Sequence, residues 1–371
     1  GRVGRFNIGT LAVRQGATDD VAADDMLVTR ISANVLSDSR VGFIYTDGDP
    51  TSNVDNSVIG VDFNYVDSNI REGRQLQSNV FFQQSDTPGL EGDDASYGFG
   101  VALPASDGLR SRVGYKVVEK NFNPAMGFIN RSNIEDYTAD IGYTHFFDGG
   151  PFQTAFAGID MQRIEVIDGD LQSEVVAYRL LELETGTRDG FNLSYVSNKE
   201  NVLQPFTIYR EPGKEIVVQP GNYSFDEQEV GLSTGGQREF SGSLSYRSGD
   251  FYNGERQNVN ASFAWNQSRY FRATVRMDWN DIELPQGTFI TRLSSVNTQV
   301  AFTPELYWIT LAQYDNISEE IGINTRLQWI PKAGQEALIV LNHNMQDQDR
   351  DNRFDTARSD LSLRLRYTFR F

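Results

Sequence analysis

The residue types that carry out catalysis are scarce in this chain. It has no cysteine, so it cannot use a thiolate nucleophile or a Cys-based metal centre. Its two histidines, His145 and His343, are too few for a His-based metal centre. Asn342-His343-Asn344 resembles hydrolytic sites in which His works with Ser, Asn or Asp, but no spacing specifies its partners. The sequence contains no phosphate-binding glycine loop and no nucleophile elbow. We therefore predict a protein that is not an enzyme and binds no cofactor.

An acidic run near the end of the chain has the alternating carboxylates of a calcium-binding loop. Its candidate ligands are Asp347, Asp349, Asp351 and Asp355. The run lacks the glycine that such loops need at the sixth position, and Arg358 stands where the twelfth position requires a bidentate Glu. These are weak calcium candidates, and a solvated acidic loop without metal is the expected outcome.

The bulk composition narrows the class of protein. Hydrophobic residues make up 39% of the 371 residues, aromatic residues 12%, and the net charge is −18. An acidic surface argues against nucleic-acid partners, and it suits contact with cations or, through divalent ions, with anionic lipopolysaccharide. The longest apolar run, Ala337 to Leu341, is far shorter than the roughly 20 residues of a transmembrane helix. A membrane β-barrel is compatible with this composition, since only every second residue of its strands must be apolar.

Apolar and polar residues alternate along most of the chain. In the run from Phe271 to Trp279 every odd position is apolar and every even position polar, and the run from Leu361 to Phe371 repeats the pattern. A period of two places each set on one face of a β-strand. Further alternating segments lie at 137–143, 240–246, 259–265 and 321–329. The pattern predicts an all-β protein.

Connections of alternating length separate these segments, and Asp-Gly and Gly-Gly pairs suit the tight turns. Long or acidic connections are predicted near 14–26, 47–55, 85–94, 119–134, 164–170, 197–222, 249–254, 281–287 and 346–357. Short turns are predicted near 37–39, 106–108, 148–150, 185–187, 235–237, 267–269 and 303–305. Residues 1–371 are therefore predicted to form a single transmembrane, antiparallel, up-and-down β-barrel of about 20 strands (about 18–22) in a bacterial outer membrane. A soluble β-rich surface protein is the alternative.

Aromatic residues and the chain end fit the barrel. Aromatic side chains near strand ends are typical of an interfacial girdle. The lipid-facing and girdle candidates are Phe263, Trp265, Phe271, Trp279, Trp329, Tyr367 and Phe369. Phe371 closes an alternating strand and resembles the C-terminal signal by which outer-membrane assembly machinery recognises its substrates.

If the apolar positions face lipid, the charged residues between them face the interior, because an Arg at the bilayer midplane costs about 2–4 kcal/mol. The candidates for lining or constricting the interior are Arg110, Arg112, Lys116, Asp136, Asp140, Arg247, Arg272, Arg276, Asp278, Glu320, Arg326, Arg364, Arg366 and Arg370. They either pair across strands as salt-bridge ladders or form a constriction that favours anionic or zwitterionic solutes. The connection 197–222 is long enough either to fold inward as a constriction or to stand outside as a capping hairpin.

Four stretches carry a resemblance to a known family. They are Phe122-Asn123-Pro124-Ala125-Met126-Gly127-Phe128-Ile129-Asn130-Arg131, Gly1-Arg2-Val3-Gly4-Arg5-Phe6, Trp329-Ile330-Pro331 and the terminal Tyr367-Thr368-Phe369-Arg370-Phe371. The chain resembles the barrel part of a bacterial envelope family of uncharacterised function, which joins a periplasmic module like family 9 carbohydrate-binding domains to a C-terminal β-barrel. The resemblance implies an outer-membrane location and sugar-related traffic, and it supplies no catalytic residues.

The loop motif of that resemblance comprises Phe122, Asn123, Pro124, Gly127, Phe128 and Arg131. We expect Pro124 and Gly127 to fix a turn and Phe122 and Phe128 to anchor the loop against the barrel rim.

Because the chain starts at Gly1 in mid-pattern, we interpret it as part of a longer protein, with a signal and another module before it.

Two functional hypotheses follow. The first is a porin-like channel for small polar solutes with an Arg-bearing lumen. The second is a plugged barrel that anchors a periplasmic or surface protein partner.

Overall fold

The computed structural model describes residues 1–71, 74–351 and 353–368, without the side chains of Asn69 and Arg71. Every regular element in these ranges is a β-strand. Over the same ranges, no helix is long and apolar enough to cross a membrane.

The strands are long, as an extended alternating pattern requires. In chain order they are β1 Arg2–Val3, β2 Phe6–Gln15, β3 Asp24–Val35, β4 Ser39–Asp47, β5 Ser57–Arg71, β6 Arg74–Asp86, β7 Ala95–Leu103, β8 Gly108–Val118, β9 Ile134–Phe146, β10 Phe152–Val166, β11 Leu171–Thr185, β12 Gly190–Val202, β13 Phe206–Glu211, β14 Lys214–Val218, β15 Gly221–Ser233, β16 Phe240–Phe251, β17 Gly254–Ser268, β18 Phe271–Leu284, β19 Gly287–Ala301, β20 Leu306–Asp315, β21 Glu320–Lys332, β22 Gln335–Gln346 and β23 Asp355–Tyr367. They form one 21-stranded sheet and a separate two-stranded hairpin, β13–β14.

The all-β class, the antiparallel pairing and a strand number near 20 are confirmed by this sheet. The expected long connections near 249–254 and 281–287 are wrong. Only two residues separate β16 from β17, and two separate β18 from β19. The acidic residues there continue the ladder instead of leaving it, since Asp250 pairs with Glu255 and Glu283 pairs with Thr288.

The chain divides into two compact units. Unit 1 comprises Gly1–Phe146, Phe156–Tyr178 and Asn198–Asn201, and unit 2 comprises Phe147–Ala155, Arg179–Ser197 and Val202–Phe371. In unit 1, β2 to β9 pair in sequence order as an antiparallel meander. In unit 2, β15 to β23 do the same.

Connections in each unit alternate between the two ends of the strands. The end that carries 16–23, 48–56, 87–94 and 119–133 in unit 1, and 203–220 and 347–354 in unit 2, is called the long-connection end. The opposite end of each unit, with 36–38 and 104–107 or with 269–270 and 333–334, is called the short-connection end.

Each unit has an apolar face and a polar face, because cross-strand partners share a side of the sheet. In unit 1 the apolar face carries the exposed side chains Ile59, Val61, Val80, Phe82, Tyr97, Phe99, Val113, Ile141 and Tyr143. In unit 2 it carries the exposed side chains Leu244, Tyr246, Phe263, Trp265, Val275, Met277, Val296, Trp308, Leu327, Trp329, Ile339, Leu361, Leu363, Leu365 and Tyr367.

Buried apolar residues form two clusters, and both lie on the polar face near the long-connection end. In unit 1 the cluster is Val58, Val118, Phe122 and Ile134. In unit 2 it is Val202, Tyr209, Ile216, Val218, Ile282, Leu284 and Phe289. Within the described ranges, the buried clusters therefore lie where connections fold back onto the sheet, and the apolar face is left uncovered.

Candidate functional site

On the polar face of unit 1, opposite charges from different strands lie close together, on adjacent strands in two cases and across Gly42 of β4 in the third. Arg30 lies 2.6 Å from Asp62, Lys116 lies 3.1 Å from Asp136, and Arg110 lies 3.5 Å from Asp140. The Arg110 guanidinium also lies over the Phe156 ring, 4.4 Å from its centroid. The lumen candidates Arg110, Asp136 and Asp140 thus form the cross-strand pairs of the salt-bridge hypothesis.

The long-connection half of the polar face in unit 2 is also paired. The Arg256 guanidinium forms two hydrogen bonds with Glu227, at 2.8 and 2.7 Å, and Arg247 pairs with Glu229 through Nε at 2.9 Å. Nearby, Asn258 donates to Asp278 at 3.2 Å and to Asn280 at 3.0 Å. These contacts fix the side chains in place, and the two ion pairs neutralise the charges of Arg247, Arg256, Glu227 and Glu229.

From the middle of unit 2 to its short-connection end, the polar face is different. Five of the predicted lumen arginines point from this part of the face and are exposed: Arg272, Arg276, Arg326, Arg364 and Arg366. Within the described ranges none of the five has an ion-pair partner. The cross-strand neighbours of four of them in the described strands are neutral, as where Arg276 faces Ser262 and Ser295, and Arg366 lies opposite Glu336 without forming an ion pair. This part of the face therefore presents an excess of positive charge.

Two more candidates lie on the polar face without joining these arginines. Arg112 is exposed in unit 1, opposite Asp140 in the β8–β9 register, and has no ion pair within 4 Å among the residues that the structure describes. Glu320 begins β21 in unit 2, opposite Asp315, and is half-buried. Arg370 lies outside the described residues.

The loop motif in unit 1 folds onto the polar face. Phe122 is 4% exposed and packs against Val58, Val118 and Ile134. The expected turn is present, with Gly127 N donating to Pro124 O at 2.7 Å. The expected second anchor is wrong: Phe128 is 86% exposed. One aromatic side chain enters the pocket that these strands form, and the turn at Pro124 directs the other away from it.

Hydrogen bonds from a neighbouring connection complete the anchoring of this loop. Asn56 Nδ2 donates to Asn123 O at 2.8 Å and to Thr87 Oγ1 at 2.7 Å, and Ala125 N donates to Asn56 Oδ1 at 3.3 Å. Arg131 reaches Ser173 Oγ at 2.9 Å. No sequence signal indicated the role of Asn56, because its partners lie 31 to 69 residues away along the chain.

The connection between β12 and β15 in unit 2 contains the hairpin β13–β14, which turns at Pro212 and Gly213. Its buried side, Tyr209, Ile216 and Val218, packs against Ile282, Leu284 and Phe289. Ile282 and Leu284 continue the even-numbered row of Arg276, Asp278 and Asn280 in an unshifted register, so the hairpin covers the polar face. A sequence signal was present here, since Ile282 and Leu284 are apolar residues at positions where the strand is otherwise polar.

The other candidates for chemistry do not assemble into a site. Asn342 and Asn344 lie on the polar face, and His343, paired with Ile323, lies on the apolar face. Asp347 is buried and accepts a hydrogen bond from Asp351 N at 3.1 Å, Asp355 pairs with Gln346 in the ladder, and Asp349 is exposed. Across the described part of the chain, no group of three or more His, Asp or Glu side chains is arranged to hold a metal ion.

Aromatic residues cluster on the apolar face at the short-connection end of unit 2. Trp265 stacks on Phe240 at a centroid distance of 6.1 Å and meets Phe271 edge-on at 5.4 Å. Phe263, Trp329 and Tyr367 are exposed on the same face, and Trp279 lies nearer the long-connection end. The predicted girdle and signal residues Phe369 and Phe371 lie outside the described residues.

No protein-family model matches this chain, and no curated protein matches it by sequence. Among solved structures the chain is similar to the open form of the ferric-catecholate import receptor Fiu from E. coli K12. The sequence identity is 10% and the TM-score 0.43, and the match covers 91% of this chain and 68% of that chain. A likeness this distant carries no argument about function.

Proposed function

We propose that the 21-stranded sheet closes into one transmembrane β-barrel of a bacterial outer membrane and acts as a porin-like channel for small polar solutes. The apolar face contacts lipid, and the polar face lines a water-filled path. The protein is not an enzyme in this proposal. Its partners are outer-membrane lipid, lipopolysaccharide and the outer-membrane assembly machinery.

The uncovered apolar face is the observation that carries the proposal. Along β23, Leu361, Leu363 and Leu365 are 72%, 68% and 74% exposed, and the apolar residues of the same face on β18 and β21, Val275, Met277, Leu327 and Trp329, are 45%, 42%, 38% and 50% exposed. Burying one such side chain is worth about 1.5–3 kcal/mol, and soluble monomers rarely expose contiguous apolar patches of this kind. Lipid hydrocarbon on this face would shield the apolar side chains of all the strands from water.

The polar face supports a path for solutes. Charged residues of both signs are tolerated there only if water or a partner solvates them. Barrels of about 16–18 strands already leave an aqueous channel, so a closed barrel with more strands has room for one. The unpaired Arg272, Arg276, Arg326, Arg364 and Arg366 favour anionic or zwitterionic solutes on this path.

Planar-bilayer recording of the purified full chain tests the function. Steady ohmic current steps with a reversal potential that favours anions support the channel. Heat-modifiable migration on gels, measured in parallel, establishes that the sample is a folded barrel. Silence from heat-modifiable protein contradicts the channel.

A plugged barrel that anchors a periplasmic or surface partner is the second candidate. Two connections lie over the polar face, one at Phe122 and one at β13–β14, and this covering favours an obstructed interior. The family resemblance adds a carbohydrate-related partner to this proposal. Co-purification of a partner with a non-conducting, folded barrel supports it.

A further inference from the structure

The hairpin β13–β14 leaves the strand ladder and crosses the polar face of unit 2. It connects β12 to β15, yet its buried side chains contact β18 and β19, several strands further along the sheet. A side chain on Gly287, at the start of β19, would place its Cβ 3.2 Å from Ile216 Cδ1. Lys214 Nζ donates to Thr288 O at 2.6 Å. The hairpin is therefore seated on the inner wall of the proposed path.

The tip of the hairpin is fixed by one arginine from another connection. Arg350 Nη1 lies 3.2 Å from Glu211 Oε2 and 3.7 Å from Glu319 Oε1, and Nη2 donates to Ile317 O at 3.1 Å. Glu211 also accepts a hydrogen bond from the Tyr209 hydroxyl at 2.9 Å. Arg350 thus joins the hairpin tip to the connections 316–319 and 347–354. These contacts are called the Arg350 latch.

The side of the hairpin that faces away from the wall is polar and charged. Arg210 lies 2.6 Å from Glu215, and Thr207 donates to Glu215 at 2.6 Å. Hydrogen bonds from Thr207 and Arg210 hold the pKa of Glu215 below its ordinary value, so this carboxylate stays ionised. A solute that passes along the polar face meets this ion pair.

We infer that hairpin β13–β14 is the size filter of the proposed channel and that the Arg350 latch holds it in the path. The inference rests on the proposed function. An isolated two-stranded hairpin is marginally stable in water, so the position of this one depends on its two attachments. The apolar seat holds its strands and the latch holds its tip. Together they place the Arg210–Glu215 pair as a fixed obstacle on the polar face.

The test compares single-channel conductance and uptake of neutral polyethylene glycols of graded size. In the first variant a short Gly-Ser linker replaces residues 206–218. In the second, Arg350→Gln breaks the latch, with Arg353→Gln as its control in the same connection, since the one ion pair of Arg353 among the described residues is with Asp351 at 3.8 Å. We expect conductance to rise on the order of twofold or more in the linker variant and less in Arg350→Gln, with larger polymers admitted by both. Arg353→Gln should match the wild type.

If the linker variant does not fold, a disulfide crosslink between the hairpin and β19 tests the inference. Tyr209 and Phe289 stack at a centroid distance of 4.6 Å in a chain without native cysteine. Tyr209→Cys with Phe289→Cys, oxidised in the Arg350→Gln background, should return the polymer cut-off toward the wild-type value. Equal conductance and equal cut-off in wild type and Arg350→Gln, before and after oxidation, would overturn the inference.

The two proposals fail differently. A silent wild type contradicts the open channel. If the linker variant then conducts, the hairpin closes the path completely, which supports the plugged barrel and contradicts a size filter. If the folded linker variant is silent as well, both are wrong. A conducting wild type that matches the linker variant contradicts the size filter alone.

Discussion

The loop motif of unit 1 and the hairpin of unit 2 both fold onto the polar face, but they are attached in different ways. The loop motif inserts one aromatic ring, Phe122, and uses the Asn56 side chain to bind backbone atoms. The hairpin rests on a larger apolar cluster, and side-chain charges hold its tip. Backbone-directed hydrogen bonds fix a loop in one conformation, whereas an ion pair at a tip can be broken without unfolding the strands. The first arrangement is structural, and the second is suited to control passage.

The largest effect is expected at the loop motif. Phe122→Ala should lower the free energy of unfolding by about 3–5 kcal/mol, because it leaves a cavity where the buried ring now packs. The measurement is reversible unfolding in detergent or lipid. Phe128→Ala is the matched control, since that ring is 86% exposed, and it should change stability by less than about 0.5 kcal/mol. Equal losses in the two variants would contradict the anchoring assigned to Phe122.

A more local effect is expected at the hairpin seat. Ile216 is 0% exposed, and Ile216→Ala should weaken hairpin docking by about 2–5 kcal/mol. Amide hydrogen exchange should show loss of protection in β13 and β14 with little change in β16 to β19. Val217→Ala, on the less buried side of the same strand, is the control. Loss of protection throughout unit 2 would mean that the hairpin is part of the core and not an attached element.

The sequence predicted the faces of the sheet well and the attached elements poorly. Alternation over Phe271 to Trp279 defines both faces of β18, because side-chain direction depends on nothing beyond a period of two. Loop length was harder, since Asp250 and Glu283 look like loop residues and still pair in the ladder. The inward fold of the hairpin depends on contacts between segments more than 60 residues apart along the chain, as between Ile216 and Ile282. Only the apolar Ile282 and Leu284 in a polar row indicated it.

The stability of connection 48–56, whose Asn56 anchors the loop motif of unit 1, should depend on pH. Burial acts to raise the pKa of Asp49, but hydrogen bonds from Ser52 and Thr51 outweigh it and hold the pKa below its ordinary 3.8. A carboxyl group with a lowered pKa stabilises the fold above its unfolded-state pKa, and the contribution disappears as pH falls through the folded value. Connection 48–56, which carries Asn56, should therefore loosen only in strong acid. Proteolysis of this connection as a function of pH, in wild type and Asp49→Asn, checks this; acid sensitivity that persists in Asp49→Asn would contradict it.

The smallest effect is expected at the unpaired arginines. Arg272→Ala with Arg276→Ala should move the permeability ratio toward cations by about twofold, because both charges lie on the polar face, which lines the proposed path, and pair with no carboxylate of the described residues. Arg292→Ala removes the same charge from the apolar face and should leave the ratio unchanged. The measurement is the reversal potential in a salt gradient. An unchanged potential in the double variant would exclude these arginines from the path.

Single-cysteine labelling along β18 tests most directly whether one face of the sheet meets lipid and the other meets water. The chain has no native cysteine, so single replacements at Val275, Arg276, Met277 and Asp278 report on one position each. In lipid vesicles, we predict that a water-soluble maleimide reaches positions 276 and 278, and that a fluorophore at 275 or 277 is quenched by brominated lipid. Labelling without a period of two, or quenching at 276 and 278, would contradict the assignment of the two faces.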